Sequence, residues 1–600
     1  MSRLERTATF DRLGESLASP LRRDRAGRVV GARFERGFAP RFGADVIEGA
    51  ARFRAYAPRA KRCSIVLDEP QGGERIVAMD SLGAGVYQAI VPGEGHETLY
   101  KIALDDDVYP DPYALYLPFG VHGPAMVYAS RYAWRHGLGV YRPLSSHVIY
   151  ELHVGTFTQE GTFGAAERRL ADLAHMGVTA VELMPISAFE GEYGWGYDGV
   201  AHFSTHAAYG SPDELRHFID EAHGLGLSVF LDVVYSHFGP AGNYLRAFSD
   251  EYFRSDRQTP WGEAMDFRHA PARHYVLDSA RYWLTEMRAD GLRLDATHAF
   301  SESRSSNILR ELSDELLLVE PKKLLMAEDE RNDPSLVTST GMNGVWADDF
   351  HHQIHVTLTR EHDGYYEAYR PGALGIADCI RGGWLYEGQL YAPTGEHRGG
   401  RADALDASSF IYAIQNHDQI GNREDGLRLT ALAPPAAFAA ASALLLFLPM
   451  TPLLFMGQEW GATTPFLYFS HREPDGMQRF AASKLDWAER ASPEHAALLD
   501  LHTRLLRLRR LDLVLSSSGR DQLGVRSDGT VLVAERWSAH GRRLFVVNFS
   551  DVPADVPLLP GSLDDYEVLL ASNGAAHDRL GGWAFAVLGD ARGSGRAMVE

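Results

Sequence analysis

Charged side chains interrupt four apolar runs of this 600-residue sequence, each near the end of the run. In the segment 291–295, Gly-Leu-Arg-Leu-Asp, Arg293 and Asp295 stand two residues apart and would project from the same face of a strand. The guanidinium group would keep Asp295 ionised through its opposite charge and its hydrogen bonds. Asp295 therefore has the properties of a nucleophile or of an electrostatic stabiliser.

Two further carboxyl groups stand at comparable positions. Glu328 ends the run 324–328, and burial near other carboxylates would raise its pKa, as a general acid needs near neutral pH. Asp418 follows the run 410–415 and supplies a third carboxylate, which could bind substrate hydroxyl groups and help to distort a sugar. Two acidic residues on either side of an acetal, with an oxocarbenium-like transition state between them, carry out glycoside hydrolysis.

Each of these residues also has an ordinary structural interpretation. A single Asp at a strand end is commonly a helix cap or a turn residue. Arg293 and Asp295 could form a buried structural ion pair. Polar residues at four strand ends of one chain are much harder to explain in this way, and the coincidence favours a catalytic site.

Such a site requires strands whose ends meet, and the middle of the chain provides them. Apolar runs alternate there with helical patterns, which is typical of parallel βαβ units. Eight runs over about 310 residues predict a (β/α)₈ barrel, the TIM-barrel class, whose active site lies at the carboxyl ends of the strands. The sixth unit has the weakest pattern, and residues 362–406 are expected to form an elaborated loop. The predicted strands are 147–153, 178–184, 227–235, 291–295, 324–328, 344–347, 410–415 and 452–456.

The flanking regions have a β pattern instead. Short β-type runs punctuated by Gly predict an N-terminal β-sandwich over residues 41–135, after a lead-in arm over 1–40. The barrel would then take residues 136–510. Three further short strands predict a closing C-terminal β-sandwich over residues 511–600.

Composition excludes several other classes of function. The formal charge of −21 opposes binding to nucleic acid, and hydrophobic residues at 45% are ordinary for a globular chain. The uncharged stretch 429–458 contains four prolines, so we expect a buried helix and strand there and no membrane span. Two distant cysteines and an Arg-rich start without an apolar run predict a soluble cytoplasmic protein. No phosphate-binding loop, dinucleotide motif or calcium-cage spacing is present, so neither cofactor nor metal is expected.

The four charged segments resemble the signature regions of a known family. DVVYSH (232–237), GLRLDATH (291–298), MAEDERND (326–333) and QNHDQIGNR (415–423) are similar, in order, to those of the α-amylase family of retaining glycosidases. The resemblance covers most of residues 140–510. It implies that Asp295 is the nucleophile, Glu328 the general acid/base and Asp418 the transition-state stabiliser.

The resemblance also implies a set of substrate-binding residues. The sugar on the non-reducing side of the cleaved bond, in subsite −1, would be held by Arg293, His237 and His417, with Asp232 as an organiser of the inner site. Tyr197 resembles the aromatic residue that stacks on that sugar. Trp195, in the same WGYD segment (195–198), could stack on substrate or pack in the interior, and the sequence leaves both open.

Other segments narrow the resemblance within the family. RFRAYAPRA (52–60) resembles the sandwich that precedes the barrel in branching, debranching and trehalose-releasing members. Residues 184–200, 237–245, 327–333 and 346–352 are together similar to the trehalose-releasing members. These hydrolyse the α-1,4 bond next to a terminal trehalose unit, which implies maltooligosyltrehalose and related α-glucans as substrates and a maltooligosyltrehalose synthase as functional partner. A branching or debranching enzyme, a glucan transferase and a non-catalytic glucan-binding protein are the alternatives.

One position departs from the common amylase pattern. His298 stands three residues after Asp295, where many amylases have Lys followed by His, which fits a different leaving group. We expect the loop 348–352, containing Asp349 and His352, to shape a trehalose pocket on the leaving-group side together with Trp195 and Glu387. In the alternative interpretation, Asp348 and Asp349 only cap the following helix.

Overall fold

Eight parallel strands close into a barrel at the centre of the chain, which confirms the predicted TIM-barrel class. The computed structural model describes residues 21–23, 29–32, 41–69, 72–300, 307–317, 319–516, 519–557, 559, 562–576 and 578–591. Each barrel strand pairs with the next in chain order, and the last pairs with the first. The strands are Ile149–Leu152, Ala180–Leu183, Ser228–Val233, Gly291–Leu294, Leu324–Ala327, Gly344–Trp346, Phe410–Ala413 and Thr451–Phe455.

Alternation along the strands divides the barrel interior into layers. Successive strand residues face opposite sides, so every second residue points inward. The lower layer is an apolar cluster, which includes Ile149, Ala180 and Phe230. Two residues further along the same three strands stand Glu151, Glu182 and Asp232, all buried. The sequence thus places charge in the layer just below the carboxyl ends of the strands.

Helices cover the outside of the barrel. The helix Pro212–Gly224 illustrates why they begin where they do, since Ser211 and Glu214 form a reciprocal capping box with Pro212 at the first helical position. The helical segment 163–176 is broken at residues 168–169, and the helix Ala270–Arg281 continues into a π-helical turn. The longer helices are Phe163–Glu167, Leu170–Met176, Pro212–Gly224, Ala270–Arg281, Ile308–Leu316, Asp348–Thr359, Ala373–Gly382, Pro435–Phe447, Gly476–Ala482 and Pro493–Leu511.

The uncharged stretch 429–458 forms a helix and the eighth barrel strand, as predicted. The helix Pro435–Phe447 is apolar because the helices Pro493–Leu511 and Asp348–Thr359 and the C-terminal sheet pack against it. Arg509 and Arg536 donate hydrogen bonds to the carbonyl groups of Leu446 and Phe447 at its C-terminal end. Within the described ranges, every helix is too short or too polar to cross a membrane.

The N-terminal β-region contains two antiparallel sheets packed against the barrel. Tyr56 donates a hydrogen bond of 2.6 Å to Glu251, and the hydroxyl groups of Tyr113 and Tyr252 are 3.1 Å apart. The predicted arm 1–40 lies outside the described residues, apart from the pairing of Leu21–Arg23 with Val29–Ala32. The strands of the two sheets are Gly43–Ile47, Ala50–Tyr56, Asp80–Gly83 and Val86–Pro92, then Cys63–Asp68, Glu74–Ala78, Leu99–Leu104, Asp107–Tyr109 and Ala125–Met126.

The C-terminal β-region contains a five-stranded antiparallel sheet and a smaller three-stranded sheet. Leu523–Asp528 and Phe585–Ala591 are strands that the sequence patterns did not indicate. The remaining strands are Val531–Ser538, Gly541–Asn548 and Tyr566–Ala571 in the larger sheet, and Ala554–Asp555, Ala575–Ala576 and Arg579–Leu580 in the smaller.

Insertions at the carboxyl ends of the barrel strands build the walls around the site. Ser187–Ala188 pairs with Ala201–Thr205 after the second strand, and a small sheet of His237–Phe238, Phe253–Gln258 and Glu263–Met265 follows the third. The excursion 362–406 is more regular than its sequence suggests. It contains the helix Ala373–Gly382 and the hairpin formed by Gln389–Tyr391 and Glu396–Arg398.

Candidate active site

The three predicted carboxylates meet at the carboxyl end of the barrel. Asp295 and Glu328 directly follow the fourth and fifth strands, and Asp418 lies in the first turn of the short helix His417–Gly421 after the seventh strand. Ala296 adopts a left-handed backbone conformation with φ of 45°, and its N–H donates a hydrogen bond of 2.5 Å to Glu328. This turn places the first two carboxylates beside each other.

Arg293 is the central cation of the site. Its side chain is fully buried on the fourth strand, and one guanidinium nitrogen donates to both oxygens of Asp232 at 2.9 Å and to Asp295 at 2.7 Å. A second nitrogen lies 3.9 Å from Glu328. The Trp346 ring lies 4.6 Å from the guanidinium carbon, so a cation–π contact adds to the stabilisation of the buried charge.

The geometry separates the two neighbouring carboxyl groups by charge. Asp295 receives the short hydrogen bond from Arg293, at 2.7 Å. Desolvation, only partly offset by Arg293 and reinforced by the negative charges of Asp295 and Asp418, raises the pKa of Glu328 well above its usual range. Burial and like charge therefore favour the protonated form of Glu328 beside an aspartate that Arg293 contacts directly, the unequal pairing that general-acid catalysis with a nucleophile needs.

A hydrogen-bonded chain links the first strand to the same cation. Glu151 accepts a hydrogen bond from Nδ1 of His417, whose Nε2 lies 2.7 Å from the Tyr197 hydroxyl. That hydroxyl donates at 2.6 Å to Asp232, the partner of Arg293. Because the Tyr197 proton points to Asp232, both ring nitrogens of His417 act as donors, as in an imidazolium ion.

Electrostatics agree with this assignment. Burial alone would lower the pKa of His417, but the negative charges of Asp418 and Glu151 outweigh it and raise the pKa to about 9. The Tyr197 ring stacks on the imidazolium at 5.2 Å. Gly196 permits this placement, because its φ is 99° and a Cβ there would lie 2.2 Å from the Pro185 carbonyl oxygen. A cationic histidine and an aromatic ring thus lie at the floor of the site.

The opposite side of the floor holds a neutral histidine. His237 is buried, with Nδ1 at 2.8 Å from Ser236 Oγ and Nε2 at 3.2 Å from the Tyr197 carbonyl. Desolvation lowers its pKa. The Trp261 ring lies 5.4 Å from His237 and 6.4 Å from His298, which is half-buried on the turn after the fourth strand. His298 therefore lines the rim, while His237 lies deeper.

The segment after the sixth strand contains two residues, Asp348 and Tyr365, that the sequence analysis did not place in the catalytic centre. Desolvation and the negative charge of Asp418 raise the pKa of Asp348 to about 6, and Asp348 in turn raises that of Glu328. The Tyr365 hydroxyl accepts a hydrogen bond of 3.4 Å from Asn422, the residue that also contacts Asp418. Asp348 directly follows the sixth-strand segment, and the sixth strand is four positions from the second in the eight-stranded ring.

Asp349 was expected to help shape the trehalose pocket, and the structure places its side chain in the interior. Its carboxylate is fully buried and accepts four hydrogen bonds, and it pairs with Arg398 at 3.2 Å. It also does not cap the helix that starts at Asp348, because no side chain caps that helix. The carboxylate instead anchors the excursion 362–406 to the barrel, and its four donors are Asn332 Nδ2, the Tyr369 hydroxyl and the backbone N–H groups of Leu385 and Tyr386.

Three other residues that were predicted for the trehalose pocket lie behind the surface of the site or away from it. Trp195 is buried, stacks on Phe466 and donates from Nε1 to the Leu467 carbonyl, so the packing alternative is correct. His352 is buried beneath Tyr365, with the two rings 10° from parallel. Glu387 lies against Gly382, at the end of the helix Ala373–Gly382.

Sequence reasoning missed Glu151 and Glu182, although a signal was present. Both stand inside apolar strand segments, and the parallel register places them side by side on the first and second strands. A carboxylate within a barrel strand faces the interior at every second position, so this spacing marked them as part of the buried charge layer. Among the described residues, no group of His, Cys, Asp and Glu has the arrangement of a metal site.

The N-terminal, central and C-terminal regions of the chain each match a known family. Residues 41–114 match the family described as carbohydrate-binding module 48 (isoamylase N-terminal domain), and residues 127–261 match the alpha amylase catalytic domain. Residues 520–587 match a domain of unknown function. A crystal structure of a putative alpha amylase from Salmonella typhimurium superposes with a TM-score of 0.85 at 33% identity, covering 92% of this chain and all of that chain. A pullulanase from Anoxybacillus with bound maltotetraose shares the fold at 19% identity and a TM-score of 0.75, over 92% of this chain and 87% of that one.

Relatives that match most of the chain identify a narrower family. The malto-oligosyltrehalose trehalohydrolase of Deinococcus radiodurans is 44% identical over 85% of this chain and 89% of that protein. The trehalohydrolase of Rhizobium sp. M-11 is 36% identical over 86% and 93%, respectively. A 1,4-alpha-glucan branching enzyme of Nocardia farcinica is more distant, at 27% over 74% of this chain and 61% of that protein. The chain belongs to the malto-oligosyltrehalose trehalohydrolases, within the α-amylase family.

Proposed function

We propose that this chain hydrolyses the α-1,4-glucosidic bond next to the terminal trehalose unit of maltooligosyltrehalose, releasing trehalose and a shorter maltooligosaccharide. The observation that carries the chemistry is the unequal contact of Arg293 with two carboxyl groups, 2.7 Å to Asp295 and 3.9 Å to Glu328. Family membership supports the substrate. The same chemistry in a transferase would deliver the glucosyl group to a sugar hydroxyl instead of water.

In the first half-reaction, Asp295 attacks the anomeric carbon of the sugar in subsite −1 while Glu328 gives its proton to the glycosidic oxygen. The bond to the trehalose unit breaks, trehalose leaves, and a covalent glycosyl–aspartate ester remains. In the second half-reaction, the Glu328 carboxylate takes a proton from water, and the resulting hydroxyl attacks the anomeric carbon. Asp295 is released and Glu328 is protonated again, so protons and charge balance.

The residues around this pair have distinct tasks. Positive charge develops on the sugar ring in the transition state, and Asp418 supplies a partly exposed carboxylate to stabilise it. Tyr197 provides a ring for the sugar in subsite −1, backed by the imidazolium of His417. His237 and His298 lie on the Trp261 side of the same floor.

The leaving trehalose unit would occupy the side of the site opposite Tyr197. Tyr365 is 51% exposed there, and burial of its hydroxyl together with the charges of Asp418 and Asp348 raises its pKa. His352 and the anchored excursion 362–406 hold this ring in place from below. The geometry supports Tyr365 and Asp348 as the substrate-facing groups on this side, with Asp349 and His352 in supporting positions.

A supply of maltooligosyltrehalose is required for this activity, and a maltooligosyltrehalose synthase is the proposed functional partner. We also propose a cytoplasmic location. Cys63 and Cys379 are both buried free thiols, which suits a reducing compartment.

Product analysis tests the proposed function. Incubation of the protein with maltopentaosyltrehalose should yield free trehalose and maltopentaose, and Asp295→Ala should abolish nearly all turnover because no nucleophile remains. The products are identified by chromatography and their anomeric form by NMR. Branched or elongated glucans without free trehalose would establish a transferase, and an unchanged rate in Asp295→Ala would contradict the mechanism.

Asp348→Asn tests how Glu328 is kept protonated. Asp348 raises the pKa of Glu328, so removing its charge lowers that pKa and deprotonates the general acid at lower pH. The alkaline limb of kcat/KM should move down by about half a pH unit. Asp403→Asn, on an exposed residue paired with Arg401, is the matched control and should leave the limb in place. Coincident limbs in Asp348→Asn and the unmodified protein would refute this account.

Glu151→Gln and Glu182→Gln form a matched pair inside the barrel. Without the Glu151 charge, the pKa of His417 falls, so kcat/KM should drop roughly tenfold or more at pH 8 and much less at pH 5. Burial and the negative charge of Glu151 hold the pKa of Glu182 well above its usual range, which favours its uncharged form, and Gln is an uncharged side chain of similar shape. Glu182→Gln should change the rate less than about twofold. Equal losses in both variants, or a pH-independent loss in Glu151→Gln, would exclude the charged-histidine role.

Tyr365→Ala tests the assignment of the trehalose side. It should lower kcat/KM on maltooligosyltrehalose roughly tenfold, since an aromatic contact to the leaving group is lost, while slow cleavage of plain maltooligosaccharide falls less. Tyr141→Ala, on a similarly exposed tyrosine before the barrel, is the control and should affect neither substrate. Equal losses on both substrates would show that Tyr365 does not contribute to trehalose specificity.

A further inference from the structure

A cavity of about 650 Å³ lies outside the catalytic centre, at the junction of the N-terminal region and the barrel. One wall is the connecting segment 117–122, and the others come from the loops after the first, second and eighth barrel strands. Its volume is within the range of small-molecule binding sites. None of the catalytic residues contributes to it.

The walls of this cavity combine aromatic surface with hydrogen-bonding groups. Phe119 is 66% exposed at the rim, and Met477 is also exposed there. Deeper in, the Tyr193 and Phe480 rings stack on each other at 5.4 Å. The Glu192 carboxylate is exposed, and no other described side chain pairs with it. Exposed apolar groups clustered with free polar groups are typical of a ligand site.

The cavity lies next to the segment that carries Tyr197. A narrow cleft shares Phe189 and Tyr193 with it, and this cleft is also lined by Gly196 and Asp198. These two residues flank Tyr197, whose ring faces subsite −1. The cleft itself holds only about 10 Å³, so a chain that leaves that subsite away from the trehalose side would reach the cavity over the surface, on the Tyr197 side of the site.

Charge and shape indicate the class of ligand. The acidic Glu192 disfavours anions, and the ammonium group of Lys484 is engaged over the Phe480 ring at 4.9 Å, so the cavity is not a phosphate site. A glucose unit offers an apolar face for an aromatic ring and hydroxyl groups for a carboxylate. An uncharged α-glucan matches both features.

We propose that this cavity is an accessory subsite that binds the distal, non-reducing part of the α-glucan chain, with Phe119 as its rim platform and Glu192 as a hydroxyl-binding group. The proposal rests on the proposed function for the direction of the chain. Long substrates would gain affinity from it, while substrates too short to reach the cavity would not.

Phe119→Ala and Glu192→Gln test the accessory subsite on two substrates, maltosyltrehalose and maltohexaosyltrehalose. Both variants should lower kcat/KM on the long substrate about fivefold, because a buried aromatic contact or a hydrogen bond is lost, and leave the short substrate unchanged. Leu317→Ala is the matched surface control, because Leu317 is 65% exposed and lies at the C-terminal end of the helix Ile308–Leu316. An unchanged long-to-short ratio in both variants, or an equal change in Leu317→Ala, would overturn the proposal.

Direct binding separates this proposal from the proposed activity. Calorimetric titration of Asp295→Asn with maltoheptaose, which carries no trehalose, should show affinity reduced about fivefold when Phe119→Ala is added. That result would support the accessory subsite even if trehalose were not the product. Identical affinity with and without Phe119→Ala would refute it even if trehalose were released.

Discussion

The arrangement of the site depends on one fully buried cation, the guanidinium group of Arg293. A charge in the interior of a barrel is costly unless it is paired and hydrogen-bonded. Here Asp232 and Asp295 meet it directly, Glu328 lies at the edge of its reach, and the Trp346 ring covers it. Because Arg293 needs these partners, the four strand ends that carry them are held in one arrangement.

This single cation also explains how similar carboxyl groups acquire different chemistry. Asp295 is in hydrogen-bonding contact with it, whereas Glu328 is 3.9 Å away and experiences mainly burial and like charge. A second cation, the imidazolium of His417, is maintained on the other side by Glu151 and Asp418. The alternation of cations and carboxylates lets several acidic groups share one small volume, each in the protonation state that its neighbours impose.

The barrel strands and the meeting of the three carboxylates at one end of the barrel could be predicted from the sequence, because period-two alternation and strand order determine which residues face the interior and where strand ends meet. The contacts of residues in the walls of the site could not be predicted. Asp349 was expected in the pocket, but its partners come from residues 332, 369, 385 and 386, which only the folded excursion brings together. Trp195 was left open for a similar reason, since burial beneath Phe466 depends on a segment 270 residues away. Local sequence patterns do not reveal contacts between residues so far apart in the chain.

This contrast has a physical basis in how the molecule divides its tasks. Inside the barrel, short and buried hydrogen bonds hold the charged groups in one arrangement. The residues that form them stand close to the carboxyl ends of neighbouring strands. The insertions carry half-exposed rings instead, such as Tyr365, which stacks on the buried ring of His352. The excursion 362–406 is anchored through the Asp349 carboxylate, whose four hydrogen bonds do not involve Arg293. The same buried charge layer can therefore serve glucans of different shape, and the loops above it decide which glucan is cleaved and at which bond.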